Sequence, residues 1–176
     1  EYRWVDRDEI SGHLPRAIVV AEDQRFLQHE GFDWKSIKRA LQERGDTGRV
    51  RGASTLTQQV AKNLFLWPGR SWLRKGLEVW FTLWIEWTWS KLRILEVYMN
   101  VAQFGPCVFG AEAAARRYFE ITAAELDLEQ AALLATVLPN PKKLRVWNPG
   151  PYAQQRQKEV LELLEFHANS AFLRGL

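Results

Sequence analysis

Apolar residues recur at helical spacing along nearly the whole chain, and cap or turn residues interrupt them before any run grows long. Such a pattern folds into α-helices packed around one core and leaves little room for sheet. Pro15 suits a first helical turn, so a helix is predicted over 15–29. Further helices are predicted over 34–44, from a cap at Ser54 to 65, and from a cap at Ser71 to 90. A kink then leads into 91–100, followed by 111–118 and by a helix from Asp127 to a stop at Pro139. The last is predicted over 152–168, with Val160, Leu163 and Leu164 facing inward. GDTGRVRG at 45–52 reads as a mobile loop and WPGR at 67–70 as a turn. No internal repeat and no set of alternating strands interrupts this, so the fold class is mainly α. The 176 residues, 47% hydrophobic and 26% charged, suit a single globular domain over 1–176.

The formal net charge of +3 fits an anionic partner such as a phosphate or a lipid surface. It lacks the concentrated basic face of a nucleic-acid binder. A single cysteine, Cys107, excludes an internal disulfide and is expected to be a small buried or half-buried thiol. The chain starts at Glu1 without an initiator methionine, as a processed or truncated piece would. No apolar run approaches the roughly 18 residues that a membrane span requires. Trp67, Trp72, Trp80, Trp84, Trp87 and Trp89 crowd one short stretch, with Trp80, Trp84 and Trp87 at i, i+4 and i+7. Core packing is their ordinary reading; the sharper one sets some rings at a membrane interface.

Three segments concentrate groups that could do chemistry. In AEDQRFLQHEGFD, residues 21–33, a continuous helix places Ile18, Glu22, Phe26 and His29 on one stripe. Glu22 then sits on a partly apolar face, where desolvation raises its pKa and makes it a stronger base. The ordinary alternative is a helix-edge glutamate in a salt bridge. For His29 a structural, hydrogen-bonded role ranks above a catalytic one, and no second histidine stands at zinc-ligand spacing. In RGASTLTQQVAKN, residues 51–63, Thr55, Gln59 and Lys62 form a polar stripe ending in a cation. The free N–H groups at that helix start, with Arg51 before it, suit a phosphate, although an amphipathic surface helix reads the same way. In RSWLRKGLEVW, residues 70–80, Arg74, Lys75 and Glu78 share a helix face. They form either a surface ion-pair cluster or a basic clamp for a diphosphate beside an acid.

Taken in order, these segments resemble the signature of the family 51 glycosyltransferases, the peptidoglycan transglycosylases. EDQRFLQHEG is similar to the motif EDxxFxxHxG at Glu22, Asp23, Phe26, His29 and Gly31. GASTLTQQ matches GxSTLTQQ from Gly52 to Gln59, and RKGLE fits RKxxE from Arg74 to Glu78. KLRILEVYMN is similar to KxxILxxYLN, with Met99 in place of leucine, and AALLATVLPNP at 131–141 resembles a later family segment. The resemblance spans about 15–150, and the chain lacks the SxxK and KTG elements of a transpeptidase. That places it nearest the monofunctional members of Gram-negative bacteria.

The resemblance implies a lysozyme-like helical lobe with a smaller, membrane-facing jaw lobe. It also implies a single-pass anchor before Glu1 in the inner membrane, with the domain on the periplasmic side. The implied reaction joins lipid II units into β-1,4-linked glycan with inversion, releasing undecaprenyl diphosphate. Implied partners are lipid II, the growing lipid-linked glycan, the membrane surface and other cell-wall synthesis or division proteins, with no nucleic acid. By motif, Glu22 is the general base and Glu78 an accessory carboxylate. Lys62, Arg74 and Lys75 neutralise the leaving diphosphate, Thr55 and Gln59 line the donor site, and Asp23, Phe26 and His29 belong to the cleft. No residue is assigned as a metal ligand; a divalent cation, Mg or Mn, at the diphosphate is compatible with the pattern. The rival readings are a lysozyme-like glycan hydrolase or lytic transglycosylase, and a non-enzymatic helical module that docks on anionic lipid or nucleic acid. A cleft that fails to bring Glu22 and Glu78 together would overturn their pairing.

Overall fold

The protein is described by a computed structural model over residues 2–47, 54–69 and 71–168. Among these residues the architecture is mainly α. The helices are α1 (His13–Glu22), α2 (Trp34–Thr47), α3 (Leu56–Phe65), α4 (Trp72–Thr88), α5 (Lys91–Val101), α6 (Ala111–Phe119), α7 (Leu128–Val137) and α8 (Pro151–His167). This helical architecture is consistent with a lysozyme-like transglycosylase fold. Between α5 and α6 lies a hairpin of β1 (Gln103–Gly105) and β2 (Val108–Phe109), paired antiparallel. The sequence pattern missed it because strands of three and two residues are too short to display alternation.

The core forms where α1 is enclosed by α7 and α8, while α3 joins it through contacts with α4 and α5. Leu14, Ala17, Ile18, Val19 and Val20 of α1 are all buried. A helix apolar on every side is stable only when surrounded, which α7 and α8 achieve. Ser71, Ser90 and Asp127 each accept an N–H at the start of their helix, as N-caps do. The Ser90 cap begins a separate helix, α5, where the sequence suggested a kink.

Two helix ends differ from expectation. Helix α1 stops at Glu22, not at 29, because Asp23 turns away (φ −155°, ψ 73°) and commits its carboxylate to other elements. Gly31 completes the reversal at φ +82°, where a Cβ would lie 2.7 Å from Thr82 Cγ2. Helix α3 is capped by Thr55 rather than Ser54, through a reciprocal pair with Gln58. Residues 45–47, expected in a mobile loop, continue α2, whereas the remainder of that loop and Arg51 lie outside the described residues.

Cys107 is exposed at the hairpin tip with φ +59°, contrary to the buried thiol expected. The tryptophans also reverse their ordinary reading. Trp72, Trp87 and Trp80 are 93%, 77% and 52% exposed, and Trp84 and Trp67 are exposed too. Helix α4 has one side against α3, so the rings on its far side find no core to enter.

Candidate active site

Glu22 closes α1, half-buried, with Oε2 accepting a hydrogen bond from Gln59 Nε2 at 2.8 Å. Burial lifts its pKa above the ordinary carboxylate value. The Gln59 hydrogen bond and the charges of Arg156 and Lys62 oppose that rise, and Asp23 adds to it. The raised pKa expected from the sequence is thus present, but not for the reason given there. The helix ends at this residue, so Phe26 and His29 lie on no common helical stripe with it. A tertiary setting, with α3 on one side and α8 on the other, supplies the desolvation.

A second cluster occupies a cleft of about 580 Å³ walled by Gln59, Lys62, Arg74, Lys75 and Glu78, among other residues. Glu78 is 4% exposed and accepts from Arg74 Nη1 at 3.3 Å and from Lys75 Nζ. Arg74 keeps its Nε buried without a hydrogen-bond partner. Lys62 forms no ion pair with a described residue and reaches solvent from the third turn of α3. The ion-pair cluster read from the sequence therefore faces a concavity and includes a buried acid.

Among the described residues the two glutamates line different cavities. Glu22 opens into a smaller neighbouring cavity of about 250 Å³ that also contains Asp23, Arg25, Asp33, Arg39 and Ser54. Ser54 borders both cavities, and Gln59 belongs to the wall of the larger one while bonding Glu22 in the other. Glu22 and Glu78 thus line different cavities that share Ser54 at their border and are linked by the Gln59–Glu22 hydrogen bond.

The side-chain oxygens of Asp23 and Thr55 and the Nε2 of His29 are committed to the frame, while His29 Nδ1 is buried without a partner among the described residues. Asp23 Oδ1 meets His29 Nε2 at 2.9 Å, and its Oδ2 accepts from the Leu56 N–H at 3.1 Å. Thr55 Oγ1 donates to the Gly31 carbonyl at 2.7 Å. Two corrections follow. The start of α3 is not open to a phosphate through the Leu56 N–H, because a carboxylate already holds it. Phe26 is fully enclosed, with Lys91 Nζ 4.7 Å from its ring centre, and so forms no part of a cleft surface.

Two residues that sequence reasoning did not single out belong to the site. Tyr98 of α5, 1% exposed, donates its hydroxyl to Gln59 Oε1 at 3.1 Å. Arg156 of α8 donates to the Ala21 carbonyl at 3.2 Å, just before Glu22. A buried tyrosine hydroxyl needs a partner, which hints at a role for Tyr98. Nothing local signals Arg156, which lies 135 positions from Ala21.

Comparison with known proteins extends this picture. The profile of the family described as Transglycosylase matches residues 1–165. A biosynthetic peptidoglycan transglycosylase of Xylella fastidiosa (strain 9a5c) is 52% identical over 172 residues, covering 98% of this chain and 71% of that protein. Its namesake from Caulobacter vibrioides is 49% identical over 160 residues, covering 91% and 70%. One from Aeromonas hydrophila subsp. hydrophila is 55% identical over 156 residues, covering 89% and 66%.

Proposed function

The chain belongs to the transglycosylase family, and from that premise we propose that it polymerises lipid II into β-1,4-linked glycan with release of undecaprenyl diphosphate. As a peptidoglycan glycosyltransferase it acts at the cell envelope. One juxtaposition carries the finer reading: a carboxylate of raised pKa is joined through Gln59 to a cleft holding Lys62, Arg74 and Lys75.

In the proposed step the 4-hydroxyl oxygen of the incoming sugar attacks the anomeric carbon of the growing strand. Glu22 takes the hydroxyl proton as the new C–O bond forms. The bond from that carbon to the lipid diphosphate breaks, and its electron pair leaves with the diphosphate. An α-linked donor becomes a β-linked product, so a single displacement suffices. The departing charge is met by Lys62, Arg74 and Lys75, already oriented in the cleft. Glu78 orders two of those cations by holding Arg74 and Lys75 along one turn of α4. No group of three or more His, Cys, Asp or Glu side chains that could hold a metal occurs among the described residues. No step here runs through a divalent cation.

A glycan hydrolase would expel a sugar and have no use for a cationic cleft. Incubation of the protein with lipid II separates the two readings. A ladder of polymerised glycan on a gel is expected. Breakdown of isolated cell-wall glycan without polymer would replace this reading with the hydrolase.

The exposed face of α4 supports a position at the membrane surface. Trp72, Trp80, Trp84 and Trp87, together with Leu73 and Leu83, form an apolar face that water would otherwise cover. No helix among the described residues is long and apolar enough to cross a membrane, so this contact is interfacial. Anionic vesicles should shift tryptophan emission to the blue. A Trp72→Ala, Trp87→Ala double variant should partition about tenfold less, the loss of about 1.4 kcal/mol of ring burial. Emission unchanged by vesicles would remove the membrane from the proposal.

A further inference from the structure

We propose that Tyr98 is a positioning residue for the transfer reaction: its hydroxyl fixes which end of the Gln59 amide faces Glu22. The inference rests on the reading of Glu22 as the base.

The geometry is a relay across three helices. Tyr98 on α5 donates to Gln59 Oε1 at 3.1 Å, and Gln59 on α3 donates through Nε2 to Glu22 Oε2 at 2.8 Å. A primary amide has one accepting end and one donating end. A turned-over amide could still donate its NH2 to the phenol oxygen, but the buried phenol proton would then lose Gln59 Oε1, its acceptor. The arrangement that satisfies both groups points the NH2 at the carboxylate. If the amide were turned over, its oxygen would face the Glu22 oxygen, an arrangement tolerable only when Glu22 carries a proton. Tyr98 therefore biases the site toward the ionised carboxylate, the form that accepts a proton. Burial pushes the phenol well above its usual pKa, so the donor persists through the working pH range. The hydroxyl makes no other hydrogen bond among the described residues, and the ring is 1% exposed, so it is out of reach of a sugar.

Other charged groups act on Glu22 from each neighbouring element. Lys62 approaches from α3, Arg156 from α8 and Asp23 from the adjoining turn, while Arg25, Asp33 and Arg39 line the same cavity. All of them remain in a Tyr98→Phe variant, so a shift on that substitution reports the lost hydroxyl. A background without the amide separates its action through Gln59 from its direct action on Glu22.

The test has two readouts on the intact chain: the pH profile of polymerisation and a carbon-13 NMR titration of the Glu22 carboxyl. Tyr98→Phe keeps the ring and is expected to move both the acidic limb and the titration upward by about one pH unit. The rate below the limb then falls about tenfold, while the plateau changes less. In a Gln59→Met background, which has no amide to orient, the same substitution should move neither. A uniform loss of rate with the limb and titration unmoved would overturn the proposal, leaving Tyr98 a packing residue. A shift that persists without the amide would also overturn it. If Tyr98→Phe does not fold, Gln59→Met carries the test, and an unmoved titration there refutes the relay. Failure of the underlying reading looks different: Glu22→Gln would retain activity, whatever the titration shows.

Discussion

Glu22→Gln is expected to lower the rate of glycan polymerisation by about a thousandfold while leaving the protein folded. The loss corresponds to removing a general base. The fold should persist because the replacement amide oxygen can still accept from Gln59 Nε2, the hydrogen bond that anchors the side chain now. Thermal stability should even rise slightly at neutral pH. Glu22 has a raised folded-state pKa, so the native state holds its proton at pH values where the unfolded chain releases it. The stabilisation this gives at low pH is lost as pH rises through the folded value, and an uncharged replacement removes that loss. Polymerisation by gel and a thermal melt on the same sample check both halves. Substantial residual activity would remove Glu22 from the mechanism.

Lys62→Ala is expected to weaken binding of a lipid diphosphate analogue by about ten- to a hundredfold, the worth of one hydrogen bond to a charged group. The reason is that Lys62, though its charge is felt by Glu22, forms no salt bridge with a described residue and stands exposed on the cleft wall, so its charge is available to a ligand. Lys75→Ala should cost less than about fivefold, because Lys75 is 45% exposed and already engaged by Glu78. Arg74→Ala should lower both affinity and thermal midpoint, since it strips a 12%-exposed guanidinium from a carboxylate that is itself buried. Titration calorimetry across the three variants orders them. Equal small effects at all three positions would dissolve the proposed clamp.

Elements whose signals are local were legible in the sequence. Asp127 and Ser71 stand before apolar periodic stretches, and each caps a helix. The grouping of Arg74, Lys75 and Glu78 was legible for the same reason, because one turn of helix enforces it. Periodicity gave no warning that α1 ends at Glu22, since the residues beyond would sit well on a helix. Asp23 ends it by serving the Leu56 N–H, 33 positions away, and His29. The tryptophans misled in the opposite sense. Their i, i+4, i+7 spacing marks an apolar face, and spacing cannot tell protein from lipid as its cover. Tyr98 and Arg156 were invisible as site residues because their partners come from other helices.

Helix α8 has one further consequence. The motifs quoted from the sequence all end before position 150, yet the guanidinium acting on Glu22 and gripping the Ala21 carbonyl comes from Arg156. That residue lies in the part of the chain that only the family profile, running to 165, takes in. A shortened version that retained all those segments but stopped before α8 would be complete by inspection and deficient in practice. It would lose a counter-charge at the base and the last wall around α1 together. The smallest working unit is set by that reach across the fold, and it extends past the last of the short motifs.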